Sequence, residues 1–385
     1  MLGFVQYITE SIETEKLTHL EHAEDHPINA GAAGFDHAVN TLEAVHNKLS
    51  GKKSQATVTT KYDGSPSIVF GRHPETGKFF VASKSAFNKT PKINYTPADI
   101  DRNHGHAPGL AEKLKHALKH LPKVAPAHGV YQGDLMYSGN DVEEHGGSYH
   151  FKPNTITYSA KKDSEEGKKI GKAKLGVVVH TKYEGGDFAN MKARFAPGLK
   201  GFGEHKDVHL IDPQVEHGKT HYTAEQRDAF NMHIEKAKKL AAKHDWGHID
   251  PVREHVKTYI NKTVRTGETP SVEGLKAHIG EVHDKAAEKV KTAAAKGKVA
   301  AKKNEQLTHV SDNADSFKKS FEIHKHLQAA KDQLTNALSS HTTYGHSING
   351  KTAKPEGFVA VIGNKPTKLV DRAEFSRANF EARPR

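Results

Sequence analysis

A lysine separates two strand-like runs in the segment TTKYDGSPSIVFG, residues 59 to 71. The flanking runs, ATVTT and SIVFG, contain the β-branched, alternating residues that are typical of strands. Asp63-Gly64 is a common turn sequence between two such strands. Lys61 therefore has two interpretations, either a surface charge beside a hairpin turn or a reactive amine held in a pocket.

Three more charged residues lie at the ends of later strand-like runs, and they bear on this choice. They are Asp134 in VYQGDLMY, Glu356 in PEGFVAVIG and Lys368 in PTKLVDR. The order along the chain is lysine, acid, acid, lysine. A lone Lys-x-Asp-Gly match is weak, but this ordered set favours the reactive amine.

The ordered set resembles the covalent nucleotidyltransferase superfamily, which contains ATP-dependent DNA and RNA ligases and mRNA capping enzymes. Within it, the chain is similar to a group of phage proteins that share the HLEHAEDHPINAGAAGF lead-in and the KLVDRAEFSRANF tail. The resemblance implies that Lys61 is the nucleophile, Asp134 contacts the ribose, Glu356 is a metal-linked acid and Lys368 contacts the α-phosphate. It also implies ATP as AMP donor and Mg²⁺ as cofactor, with Asp134 and Glu356 as metal ligands.

The chemistry of these residue types is compatible with that reaction. An amine attacks phosphorus in its uncharged form, which burial or neighbouring cations favour. Carboxylates are hard oxygen ligands that suit Mg²⁺ or ribose hydroxyls. Thr60, Asp63 and Gly64 would lie against the nucleotide, where Gly64 allows a tight turn.

Four other residues are secondary candidates for nucleotide binding by the same resemblance. Lys84 in VASKSAFNK would hold a phosphate, although a solvated strand end explains it equally well. Tyr158 in NTITYSA, or His180 in GVVVHTKY, would stack on the adenine, with a packed strand aromatic as the alternative. Lys365 would replace the missing second lysine of the terminal motif, which usually reads Lys-x-Lys.

Two further features depart from the family pattern. Asp134 occupies a position that is usually Glu, which shortens its reach by one methylene. Only 17 residues follow Lys368, so we expect no C-terminal OB-fold domain. We expect the helical residues 205–345 to grip the substrate in its place.

The elements that must position these residues change in kind along the chain. Periodicity predicts a helical lead-in over 1–55, a strand-rich first part of the nucleotidyltransferase core over 56–204 and a helical insertion or lobe over 205–345. Strands return over 346–385 and are expected to complete the core. The predicted fold class is α+β, with the antiparallel sheets of an ATP-grasp-like nucleotidyltransferase.

Composition limits the class of protein and the partners. The 385 residues include no cysteine and carry a formal net charge of +11, which favours a polyanionic partner. No apolar run is long enough to cross a bilayer, and acids occupy the place of a signal peptide's basic flank. We expect a cytoplasmic monomer, acting in a phage-infected bacterial host.

Two charged segments have both a functional and an ordinary interpretation. His19, His22 and His26 cluster with Glu21 and Asp25 in the lead-in, where chance clustering among 29 histidines is favoured over a metal site. The Lys/Ala-rich run 285–303 is expected to be a solvated face, with a nucleic-acid clamp as the sharper alternative.

Together these features predict an ATP-dependent polynucleotide ligase. It would form lysyl-AMP, transfer AMP to the 5′-phosphate of RNA or DNA, and seal that end to a 3′-hydroxyl. Two alternatives remain, a capping-type or other nucleotidyltransferase with a different acceptor, and a non-catalytic nucleic-acid-binding protein on a ligase fold.

Overall fold

The computed structural model describes residues 20–215 and 220–372, which form a mixed α+β fold and so confirm the predicted class. The strands are β1 (Thr57–Lys61), β2 (Ser67–Arg72), β3 (Phe79–Ala82), β4 (Val130–Ser138), β5 (Val142–His145), β6 (Ser148–Phe151), β7 (Thr157–Lys161), β8 (Leu175–Glu184), β9 (Lys192–Phe195), β10 (Val208–Ile211), β11 (Gly345–Ile348), β12 (Lys351–Thr352), β13 (Gly357–Ile362) and β14 (Lys365–Val370). The α-helices are α1 (His26–Leu49), α2 (Pro97–His104), α3 (Pro108–His120), α4 (Glu165–Ile170), α5 (Ala224–Ala241), α6 (Arg253–Thr266), α7 (Val272–Lys289), α8 (Ala293–Asp312) and α9 (Ala314–Leu338). No helix in this described part of the chain is both long and apolar enough to cross a membrane.

The chain divides into two compact units, each assembled from separate stretches of sequence. Of the described residues, the first unit contains positions 20, 57–215 and 341–366, and the second contains 21–56, 220–340 and 367–372. The helical block thus groups with the lead-in helix and with the end of the chain, whereas the sequence suggested boundaries at 55, 204 and 345. Strand β14 begins in the first unit and ends in the second.

Two sheets form most of the first unit. A six-stranded mixed sheet has the order β10-β8-β4-β2-β3, with β9 also paired to β8, and β10 runs parallel to β8. A five-stranded antiparallel sheet has the order β12-β11-β7-β6-β5. In addition, β1 pairs antiparallel with β13 over five residues.

Both faces of the six-stranded sheet are buried, because consecutive apolar residues of its strands point to opposite faces. On one face Ile68 and Phe70 of β2 pack in a cluster with Leu114 and Ala117 of α3. On the other face Val69 packs with Phe80 in a separate cluster. Because successive strand residues point to opposite faces, a run such as SIVFG is expected where both faces are covered.

The second unit is helical and is organised around α9. Five apolar side chains along this helix are buried: Phe317, Phe321, Leu327, Leu334 and Leu338. Helix α5 begins with a capping box, in which the Thr223 side chain accepts from the Gln226 N–H and the Gln226 side chain accepts from the Thr223 N–H. In α1, Gly31 has a φ of +57°, a conformation that favours glycine, and a Cβ there would lie 3.2 Å from Trp246 Cβ.

The Lys/Ala-rich run forms parts of two helices, the end of α7 and the first half of α8. Residues 293–305 of α8 include no buried side chain, and the helix buries only Gln306 and Val310. The Thr292 side chain caps its start by accepting from the Ala295 N–H at 3.2 Å. The run is therefore exposed, as both interpretations of it require.

Candidate active site

The pairing of β1 with β13 brings together two residues that are 295 positions apart. Lys61 is the last residue of β1 and lies opposite Gly357, the first residue of β13. Glu356 directly precedes β13, and Lys61 Nζ donates a hydrogen bond to its Oε1 at 2.5 Å. The two side chains are 29% and 9% exposed. The ion pair is thus largely shielded from water, which strengthens it relative to a surface pair.

Asp134 supplies a second carboxylate near Lys61. It lies in β4 opposite Ser67 of β2, and its Oδ2 is 3.5 Å from Nε2 of His180 on β8. Burial raises the pKa of the Asp134 carboxyl, but His180, a hydrogen bond from Ser67 and the charge of Lys61 outweigh burial and lower the pKa overall. Asp134 is therefore a carboxylate at neutral pH.

Asp63 fixes the turn that follows the lysine. Its Oδ1 accepts from Asn154 Nδ2 at 2.8 Å, and its Oδ2 accepts from the N–H groups of Thr155 and Ile156 at 2.7 and 3.1 Å. Its own N–H donates to the Tyr158 hydroxyl at 2.7 Å. These four bonds tie the turn to the segment leading into β7, so Asp63 orients the turn.

Gly64 allows this turn to approach β4 closely. A Cβ at position 64 would lie 2.6 Å from Asp134 Cβ, a distance that real Cβ atoms essentially never show. A side chain there would push the turn and the Asp134 carboxylate apart. The Asp-Gly pair therefore does more than close a hairpin, because it sets the spacing between Lys61 and Asp134.

Tyr158 is enclosed, as in the packed alternative left open by the sequence. It is 1% exposed, and its ring packs against those of Phe151, Tyr62, Tyr344 and His346. Its hydroxyl is occupied by the Asp63 N–H. His180 is more accessible, with a side chain that is 33% exposed beside Asp134. Of the two predicted stacking residues, His180 is the one that presents a ring to solvent.

His346, which packs edge-on against Tyr158, makes the aromatic cluster sensitive to acid. Burial lowers the pKa of His346 to about 4, with a hydrogen bond to the Tyr344 backbone opposing the shift. The unfolded chain takes up this proton near pH 6.5, and the folded chain only near pH 4. The contribution of neutral His346 to the free energy of unfolding is therefore fully present above pH 6.5 and is lost as pH falls towards 4.

We expect the melting temperature of the His346→Gln variant to fall less than that of the wild type between pH 6.5 and 4. Differential scanning fluorimetry across this range measures the effect. His106 is exposed, so the His106→Gln variant should keep the pH profile of the wild type. A His346→Gln profile parallel to that of the wild type would contradict the assignment.

Three other predicted residues lie near the surface or at strand ends of the first unit. Lys84 is exposed in a short 3₁₀ turn, Lys84–Phe87, whose preceding residue Ser83 accepts from the Ser85 N–H. Lys365 is exposed at the start of β14. Thr60 is half-buried, and its N–H donates to the Pro213 carbonyl at 2.7 Å.

Lys368 belongs to the second unit, where the lead-in segment holds its strand. The Lys368 N–H donates to the Glu21 carbonyl at 2.8 Å, and His22 forms a parallel bridge with Lys368. The hydroxyl of the neighbouring Thr367 is 3.2 Å from His26 Nε2 and 3.0 Å from His37 Nε2. Residues 21–26 of the lead-in therefore fix the backbone of the terminal lysine motif.

A buried ionic network completes this attachment. Lys331 and Glu24 are both 0% exposed, and Lys331 Nζ donates to Glu24 Oε1 at 2.7 Å and to the Val370 carbonyl at 2.8 Å. Arg372 donates to both oxygens of Asp25, at 3.0 and 2.9 Å. Burial raises the pKa of Glu24, but the Lys331 ammonium and the other nearby cationic groups lower it overall. Glu24 and Asp25 are thus engaged by cations of the chain itself.

The histidines of the lead-in do not form a metal centre within the described residues. Burial and nearby cations lower the pKa of His22 to about 3, and burial lowers that of His26 to about 4. Within residues 20–215 and 220–372, no group of three or more His, Asp or Glu side chains is arranged to hold a metal ion. His19 lies outside these residues.

Asp134 and Glu356 are the two carboxylates for which the resemblance implies Mg²⁺ binding. Mg²⁺ is usually held by one or two carboxylates together with water and substrate phosphates, without an all-protein cage. Asp134 and Glu356 fit this mode, since both lie beside Lys61 and neither is part of a larger acidic cluster. They would hold the ion together with phosphate oxygens.

Sequence reasoning missed the residues that support the site. Asn154 orients Asp63, and Ser67 bonds to Asp134. Asn154 lies in a Pro-Asn-Thr turn, which could have indicated a polar anchor. Nothing local marks Ser67, because only the register of β2 against β4 sets it opposite Asp134.

Fold and site define an α+β protein whose first unit carries a shielded lysine–carboxylate pair beside a second carboxylate. The chain belongs to the family of unknown function DUF6267, whose model matches residues 17–383. No curated protein and no solved structure matches the chain.

Proposed function

We propose that the protein is an ATP-dependent polynucleotide ligase that works through a lysyl-AMP intermediate. The observation that carries the proposal is the ion pair between Lys61 and Glu356, two residues brought together from opposite ends of the sequence. Asp134 lies near enough for the Lys61 charge to lower its pKa. A shielded lysine paired with Glu356 supports covalent nucleotidyl transfer, because Glu356 can accept the proton that Lys61 must lose before it attacks phosphorus.

In the first step Lys61 Nζ attacks the α-phosphorus of ATP. An N–P bond forms, the bond from the α-phosphorus to the bridging oxygen breaks, and pyrophosphate leaves with that electron pair. The amine must lose a proton, and we assign its acceptance to Glu356, the carboxylate within hydrogen-bonding distance of Nζ. A bound Mg²⁺ would neutralise phosphate charge.

In the later steps AMP is transferred to a nucleic-acid end and then displaced. The terminal 5′-phosphate attacks the lysyl-AMP phosphorus, which frees Lys61 and leaves a 5′-to-5′ pyrophosphate linkage. A 3′-hydroxyl then attacks the terminal phosphate, so that a phosphodiester forms and AMP leaves. The net charge of +11 favours such a polyanionic substrate.

We assign roles to the other residues from the resemblance, together with the contacts of the turn. Asp63 and Gly64 hold the turn that spaces Lys61 from Asp134. Asp134 accepts hydrogen bonds from ribose hydroxyls, and His180 offers the accessible ring for the base. Lys84, Lys365 and Lys368 are the phosphate contacts that the resemblance implies.

Incubation with α-labelled ATP or GTP tests the proposal. We expect ATP to label the protein through a bond that survives alkali and is cleaved by acid, as a phosphoramidate is. Label from GTP alone would favour a capping-type enzyme, and no label from either nucleotide would favour a non-catalytic binding protein. Labelled enzyme offered 5′-phosphorylated DNA or RNA should pass its AMP to the end that it recognises.

A further inference from the structure

A cavity of about 620 Å³ lies in the first unit, between the end of α4 and the segment that leads into β10. Its partly exposed apolar lining consists of Leu199, Phe202 and Leu210. Exposed lysines surround this lining, namely Lys168, Lys172 and Lys206. The cavity therefore combines an apolar floor with a basic rim.

The charge of the rim is not balanced by the acids around it. Lys169 also lines the cavity, but it pairs with Glu166 at 2.7 Å. Within the described part of the chain, the side chains of Lys168, Lys172 and Lys206 make no hydrogen bond or ion pair. Glu204 is the acid that lines the cavity, so the rim keeps an excess of positive charge that an anion can neutralise.

The wall beside β10 is fixed, so the cavity has a defined shape on that side. His209 is buried between the Tyr137 hydroxyl, 2.9 Å from its Nδ1, and Glu166, 2.8 Å from its Nε2. Phe202 packs against Tyr131 with ring centroids 4.8 Å apart. The floor is thus anchored to the core of the six-stranded sheet, while the lysine side chains remain free to adjust.

We propose that this cavity binds an unpaired nucleotide of the nucleic-acid substrate, with the base on the apolar floor and backbone phosphates on Lys168, Lys172 and Lys206. An aromatic ring with cations at the rim is how proteins hold single strands without reading their sequence. A base within a duplex is stacked on both faces, so an unpaired base suits the ring of Phe202 better. The inference deepens the proposed function, since the ligand is the polynucleotide on which the ligase acts.

The test compares two triple variants of the full-length chain by fluorescence anisotropy with a labelled single-stranded oligonucleotide. Lys168→Ala/Lys172→Ala/Lys206→Ala removes the basic rim. Lys78→Ala/Lys119→Ala/Lys152→Ala is the matched control, because these three lysines are also exposed in the first unit. We expect the rim variant to bind about tenfold more weakly. The negative slope of log K against log salt should become less steep by about 2. The control should change binding less than about twofold.

The Phe202→Leu variant tests the base contact. Wild type should bind an abasic oligonucleotide more weakly than one with bases, and Phe202→Leu should reduce this difference, with melting curves confirming that it folds. The inference would be overturned if the rim variant bound as tightly as the wild type, or if the control variant lost as much affinity. It would also be overturned if the wild type bound the abasic and the base-containing oligonucleotides equally well. Because binding needs no ATP, failure of labelling with the pocket effect intact would overturn only the proposed function.

Discussion

The Lys61→Ala variant is expected to form no covalent nucleotide adduct under conditions that label the wild type. The label should fall by about a thousandfold or more, because the amine that bonds to phosphorus is absent. Quantifying protein-bound label after gel electrophoresis measures the loss. Lys61→Arg keeps a cation opposite Glu356 and should also remain unlabelled, which separates nucleophilicity from the ion pair.

Sealing of a pre-adenylylated end provides the control for this result. That step forms the phosphodiester by attack of a 3′-hydroxyl and does not need a free Lys61 amine. The Lys61→Arg variant should therefore still join such ends, which shows that it is folded and binds its substrate. Persistent labelling of Lys61→Ala would assign the nucleophile to another residue.

The Lys331→Met variant is expected to lose about 3–5 kcal/mol of unfolding free energy. Its side chain is 0% exposed, and removing the ammonium leaves the buried Glu24 carboxylate without its nearest cation. The Val370 carbonyl also loses a donor, which loosens the strand that carries Lys368. Urea unfolding followed by circular dichroism measures the change.

A surface pair of equal length provides the comparison. Lys238 Nζ is 2.7 Å from Glu43 Oε1 in the same unit, but these side chains are 40% and 38% exposed. Lys238→Ala should therefore change the unfolding free energy by less than about 1 kcal/mol. The double variant Glu24→Met/Lys331→Met should recover much of the lost stability, since no buried charge is left without its main partner. If Lys331→Met lowered the unfolding free energy no more than Lys238→Ala does, the network would not stabilise the protein.

Local patterns in the sequence predicted the elements well. Strand-like runs such as SPSIVFG and GVYQGDLMY became β2 and β4, because period-two alternation and flanking turn residues are local properties. Helices α5 and α9 lie within the predicted helical residues 205–345, and their capping box and apolar stripe are also local patterns. Residues 373–380 of the tail KLVDRAEFSRANF lie outside the described structure.

The division into units was harder to predict, because it depends on contacts between distant segments. The helical block suggested an insertion or lobe, and its helix α9 holds Glu24 of the lead-in and Val370 of the last strand. The buried partners of Lys331 lie 307 and 39 positions away. No periodicity along the sequence indicates such pairs.

The sequence by itself determined the types and order of the reactive residues, Lys61, Asp134, Glu356 and Lys368, and the strands that carry them. Only the tertiary structure decided which of them meet. The register of β1 against β13 makes Lys61 and Glu356 a pair, whereas Tyr158 is buried and its hydroxyl accepts the Asp63 N–H. The physical reason is that residue type and spacing act along the chain, while strand register and burial depend on contacts between segments hundreds of residues apart.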